Sequence, residues 1–222
     1  MSQSPFTRLG AMLLLIAALA FGVAACGDDS SSESEGSAAA DTKPVAELAD
    51  LKGDATEVAL DQGFVDALTK LKVTPGPVGD AEISADGVAS FPITGGNVTY
   101  YDPASSVRPY VQGIIDHQGS GLSLEAGGTT VEMTDFVIDP GTSELTGTVS
   151  ANGKEVVSDA KLFDLDGSTL KPLQSNEDGS ATLEGTTVLL SDDAAALLNE
   201  TFKIDALAGG LPIGIASITV AG

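Results

Sequence analysis

The residues able to do chemistry are few. The chain holds one histidine, His117, one cysteine, Cys26, and three tyrosines, Tyr100, Tyr101 and Tyr110. A nucleophile–imidazole–acid triad would have to use His117, which lies in Gln112-Gly113-Ile114-Ile115-Asp116-His117-Gln118-Gly119. Its neighbour Asp116 points to the opposite face of a strand, and no serine lies in the Gly-x-Ser-x-Gly elbow of the α/β-hydrolases. Paired carboxylates would be the other hydrolytic chemistry; acids abound, but no pair stands out. The acidic turns Asp164-Leu165-Asp166-Gly167-Ser168 and Asn176-Glu177-Asp178-Gly179-Ser180 look faintly like calcium loops. Leu173 and Gly185 stand at the twelfth position, where that motif needs Glu, so both are read as plain turns. One Cys with one His does not close a zinc site without several carboxylates. The chain is therefore read as a non-enzyme, with no catalytic and no metal-ligating residue; a secreted hydrolase stands as a distant alternative.

Charge narrows the partners. The chain has 222 residues, with 32 acidic and 10 basic side chains and a net charge of −22. Nucleic acid is excluded, because phosphate neutralisation needs clustered Lys and Arg. Contact with anionic lipid through a basic patch is excluded for the same reason. A hydrophobic content of 42% is enough for a globular core.

The first 26 residues read as an address. Arg8 precedes fifteen apolar or small residues, 11 to 25, too short a run to span a bilayer as a helix. A cationic start, a short apolar run and small residues at its end mark a secretory signal. The run closes on Val23-Ala24-Ala25-Cys26, which resembles the lipobox of bacterial lipoproteins. The resemblance implies cleavage before Cys26, lipid on its thiol, and a protein tethered to the outer face of the cytoplasmic membrane. Residues 27–42, rich in Asp, Glu, Ser and Ala, cannot offset the entropy of folding and read as an extended acidic tether. Residues 43–222 are then expected to form a single β-rich domain.

Within that domain the pattern is mostly strand. Leu145, Gly147 and Val149 alternate with polar neighbours, as do Ala216, Ile218 and Val220, Val131 and Met133, and Leu122 and Leu124. Asn152-Gly153 between two such runs signals a tight hairpin, since both turn positions need positive φ. Pro140-Gly141, Asp166-Gly167 and Asp178-Gly179 mark further breaks. The expected fold is an antiparallel β-sandwich or partly open barrel with two short helices. One helix starts at Asp61 as N-cap, carries Phe64, Leu68 and Leu71 on one face, and stops before a break at Pro75-Gly76-Pro77. The other starts at Ser191, with Asp192 and Asp193 favoured by the helix dipole and an apolar face of Ala194, Leu197, Leu198 and Phe202. Gly209-Gly210-Leu211-Pro212-Ile213-Gly214 lacks phosphate-loop spacing and reads as a connection into the last strand. Arg108 is expected to pair with an acid.

The stretch from Gly87 to Val149 resembles the Htaa domain of bacterial surface haem-uptake proteins. The resemblance rests on the order of Gly87-Val88-Ala89-Ser90-Phe91-Pro92, Tyr100-Tyr101-Asp102-Pro103, Gly113-Ile114-Ile115-Asp116-His117-Gln118-Gly119, Leu122-Ser123-Leu124, Thr134-Asp135-Phe136-Val137-Ile138-Asp139 and Leu145-Thr146-Gly147-Thr148-Val149. The segment from Ala181 to Phe202 follows in a similar order. The resemblance implies a two-sheet β fold with small helices, and haem bound by a Tyr on iron with a supporting His. His117 falls at the family's His, but Ala67 stands near the place of its Tyr. The cofactor-binding candidates are therefore His117 with Tyr100, Tyr101 or Tyr110, and a bulge at Gly113 would be needed to bring Tyr110 and His117 to one face. As a binding module the chain should carry a concave apolar site with His117 at its edge, open to haem or a small hydrophobic ligand. As a non-haem structural or adhesive lipoprotein it should carry no pocket of haem size, with His117 buried or merely on the surface, and would engage an envelope protein.

Overall fold

Alternating apolar residues settle the local structure, and the pairing between them builds one sheet. The computed structural model describes residues 43–221; the expected signal segment, Cys26 and the acidic tether lie outside the described residues. In chain order the elements are β1 (Ala46–Leu48), β2 (Ala55–Leu60), α1 (Gln62–Leu71), β3 (Thr74–Gly79), β4 (Glu82–Ile83), β5 (Val88–Pro92), β6 (Gly95–Tyr100), β7 (Val111–Ala126), β8 (Thr129–Asp139), β9 (Glu144–Ala151), β10 (Lys154–Asp166), β11 (Gln174–Ser175), β12 (Ala181–Leu190), α2 (Asp192–Phe202) and β13 (Pro212–Val220).

The main path of the sheet runs β1-β6-β7-β8-β9-β10-β12-β13-β2-β5-β4, with β3 on β7 and β11 on β12, and each pairing of named strands is antiparallel. This is a single sheet curled into a half-barrel, not the two-sheet arrangement that the resemblance implied. The curl brings strands far apart in the sheet together inside. Phe91 of β5 meets Phe136 of β8 edge-on at 5.3 Å, and Phe136 meets Phe163 of β10 at 6.4 Å.

Both helices form as the capping residues dictate. Asp61 accepts from the backbone N–H groups of Gly63 and Phe64, and α1 buries Phe64 and Leu68. Ser191 accepts from Ala194 N, and α2 buries Ala194, Ala195 and Leu198. Asn152 and Gly153 both take positive φ, 51° and 74°, and join β9 to β10 as expected. Gly209 and Gly210 lead into β13.

Pro75-Gly76-Pro77 is not a break. It lies within β3, paired with Leu122 to Leu124 of β7. Pro75 and Pro77 are two apart, so both missing N–H groups fall on the side away from β7. That is the one way a strand accepts two prolines, and it makes β3 an edge.

The long strand β7 changes facing part-way. Val111, Ile115 and His117 point inward before the irregularity, and Ser120, Leu122 and Leu124 after it. The shift lies between His117 and Gly121, not at Gly113, where the register with β6 is continuous. Gly113 serves a different need: with φ at 123°, a Cβ there would collide with the carbonyl of Asn97. The bulge is held by Asp135, whose Oδ1 accepts from Gly119 N at 2.9 Å.

Candidate ligand-binding cavity

The inward faces of the strands leave a cavity of about 210 Å³ within the half-barrel. Its walls are mostly aliphatic and aromatic, including Val58, Ile115, Leu145, Val188, Ile213 and Phe163. Among the described residues no Asp, Glu, Lys or Arg lines it.

His117 lines this cavity and is 1% exposed. It is a buried mid-strand residue, not one at the edge of the site as expected. Nδ1 lies 3.3 Å from the carbonyl oxygen of Phe136, which only accepts, so Nδ1 carries the proton and donates. Nε2 is then an acceptor, and the Thr56 hydroxyl donates to it at 2.8 Å. Both ring nitrogens are engaged. Ser120 Oγ adds a bond to the His117 carbonyl at 3.2 Å. Burial lowers the imidazole pKa from 6.5 to about 4, outweighing the opposing hydrogen bonds of the Phe136 and Ile115 backbone. The ring is neutral at physiological pH, and so acid a conjugate makes it a weak general base.

Tyr100 and Tyr110 both line the cavity, their rings edge-to-face at 6.0 Å. Burial pushes the Tyr100 phenol above its usual pKa, against a smaller opposite effect of the Leu173 backbone. Tyr101 does not line the cavity. Its backbone N–H closes the loop instead, donating to the Tyr110 carbonyl at 2.7 Å. Three of the four candidates thus come together, and Tyr101 stands apart. Arg108 does not pair with an acid as expected: its guanidinium donates to the carbonyls of Pro103, Ser105 and Val107, holding the loop next to Pro109 and Tyr110. Ala67 lies on α1, outside the cavity lining.

Thr56 escaped sequence reasoning. Its signal was present: it stands two before Val58 on a strand, so it shares that residue's inward face. Asp166 and Asp178 spend their carboxylates on their own turns. Asp166 accepts from Ser168 N, and Asp178 accepts from Ser180 N and Oγ. These bonds lower both carboxyl pKa values.

No family model matches the sequence, and no curated protein matches it. A solved structure does resemble it. This is the crystal structure of the C-terminal domain of HtaA from Corynebacterium glutamicum, 12% identical, with a TM-score of 0.49, covering 78% of this chain and 97% of that one.

Proposed function

We propose that this chain is a binding module of the bacterial envelope, held outside the cytoplasmic membrane by lipid on Cys26, whose half-barrel receives a small ligand. The observation that carries the reading is the cavity. Protein interiors normally close to the density of organic crystals, whereas this one keeps about 210 Å³ among apolar walls. A concave apolar site with a few convergent polar groups is the usual form of a ligand site. Residues 26–42 supply a spacer between membrane and domain.

Haem does not fit the residues present. The resemblance asks for a Tyr on iron with His117 in support, and both ring nitrogens of His117 are already taken by Phe136 and Thr56, so the imidazole has none left to support Tyr100 or Tyr110. The propionates are anions, and among the described residues no Lys or Arg lines the cavity to pair with them. Catalysis finds no support in the same group. Thr56 and His117 form a hydroxyl–imidazole pair, but the third partner is a carbonyl, and the imidazole is too weak a base to activate the hydroxyl.

The test is a pair of titrations. Haemin should give no saturable Soret shift. 1-Aminonaphthalene, a small uncharged apolar dye, should bind saturably with blue-shifted emission. The Ala216→Leu variant, which puts bulk into the cavity from β13, should weaken the dye by tenfold or more while keeping the fold. Dye binding indifferent to this substitution would sink the proposal and leave an envelope interaction protein to be traced by its protein partner.

A further inference from the structure

We infer that the ligand is an uncharged, largely hydrocarbon compound, and that charged amphiphiles such as carboxylates are rejected. The inference rests on the binding reading above and gives it a chemical class.

Three observations lead there. First, among the described residues that line the cavity none is Asp, Glu, Lys or Arg. A charge taken out of water into such walls costs several kcal/mol unless a partner or hydrogen bonds compensate it. Second, the polar atoms already inside serve each other. Thr56 donates to His117, and His117 donates to Phe136. Among the described residues no buried side-chain nitrogen or oxygen is left without a partner, so no orphan donor waits for an ionic headgroup. Third, the protein carries a net charge of −22, and its field opposes the entry of an anion.

What remains for a ligand is apolar wall and a few uncharged hydroxyls, among them those of Tyr110, Ser143 and Thr186. Tyr110 is half-buried beside Pro109, and its hydroxyl makes no side-chain hydrogen bond with another described residue. It can meet one hydroxyl or carbonyl group. Size follows from volume. An engineered apolar cavity of roughly 150 Å³ takes benzene, so about 210 Å³ accepts on the order of ten carbon atoms.

The experiment compares 1-decanol with decanoate at pH 7.5. The two share a chain and differ in charge. The readout is the methyl NMR spectrum of the full chain, which separates the cavity from any other apolar segment. The expected result is saturable shifts of the Ile115, Val188 and Ile213 methyls with decanol, and an affinity for decanoate at least tenfold lower. Decanoate binding as tightly as decanol at those methyls would overturn the chemical class and leave the binding reading intact. Neither compound shifting those methyls would take down the binding reading with it. Leu170 lines the cavity from a loop and is part-exposed, so Leu170→Arg adds a cation without disturbing a strand. It should narrow or reverse the preference, with folding confirmed in the same spectrum. A preference unchanged in that variant would show that the missing cation does not set it.

Discussion

His117 Nε2 accepts the Thr56 hydroxyl at 2.8 Å across the interior of the half-barrel, between residues 61 positions apart in the chain. Their strands, β7 and β2, are not neighbours in the sheet. The bond therefore ties two distant parts of one curled sheet, and both ends are buried, with Thr56 4% and His117 1% exposed.

Thr56→Val should expose the value of that tie. It keeps shape but leaves Nε2 without a donor, and a buried polar group left unsatisfied costs about 1–3 kcal/mol. Thr56→Ser keeps the hydroxyl and should recover most of the loss. Urea denaturation followed by far-UV circular dichroism measures both. Equal stability of the Val variant and the parent would mean that the tie contributes nothing.

The same imidazole predicts a pH dependence. Its pKa is 6.5 in an unfolded chain and about 4 in the fold. Between those values the unfolded state binds more protons, so stability rises with pH. The contribution is complete above about pH 7 and is lost as pH falls from 6.5 toward 4, amounting to about 3 kcal/mol in all. His117→Gln should lose this part of the slope, which appears when its stability between pH 7 and pH 4.5 is subtracted from the parent's. Parallel profiles would show the imidazole to be protonated as easily in the fold as outside it.

The two helix caps should differ in cost. Asp61 caps α1 from an exposed position, and Asp61→Ala should cost about 1 kcal/mol. Ser191 is 1% exposed, and its hydroxyl also donates to the Lys161 carbonyl of β10 at 2.7 Å while accepting from Ala194 N. Ser191→Ala removes a cap together with the hydroxyl's bond to the Lys161 carbonyl, so about 2 kcal/mol is expected. Thermal denaturation of the two variants side by side checks the ranking; a larger loss from Asp61→Ala would reverse it.

Anchoring is tested at one atom. Cys26→Ser removes the thiol that lipidation requires. In a bacterium expressing the chain, radiolabelled palmitate should enter the parent and not the variant, and the variant should leave the membrane fraction. Label retained in Cys26→Ser would refute lipidation at this residue.

Much of this architecture was legible locally. Asp61 and Ser191 announced their helices, because a cap acts within three residues of itself. Asn152-Gly153 announced its hairpin through φ alone. Alternation placed Leu122, Val131, Leu145 and Ala216 inside, because a half-buried strand has a period of two. Pro75-Gly76-Pro77 was misread as a break, because whether prolines are tolerated depends on which side of the strand is paired, and only the neighbour decides that.

The site was legible only in part. By itself, the sequence determined which residues carry chemistry: one imidazole, three phenols and an acidic surface, with a single thiol at the end of the apolar run. It also determined both helices, the Asn152-Gly153 turn and strands such as β8 and β9, whose causes are short-range. Only the tertiary structure decided that His117 faces inward and that its ring is already spoken for. That outcome depends on the bulge between His117 and Gly121, on Thr56 arriving from the far side of the curl, and on the Phe136 carbonyl. It also decided that Tyr100 and Tyr110 share the cavity while Tyr101 does not. The physical reason is the curl: the walls of the cavity come from strands distant in the chain, and their meeting is set by pairing and closure that no local pattern encodes.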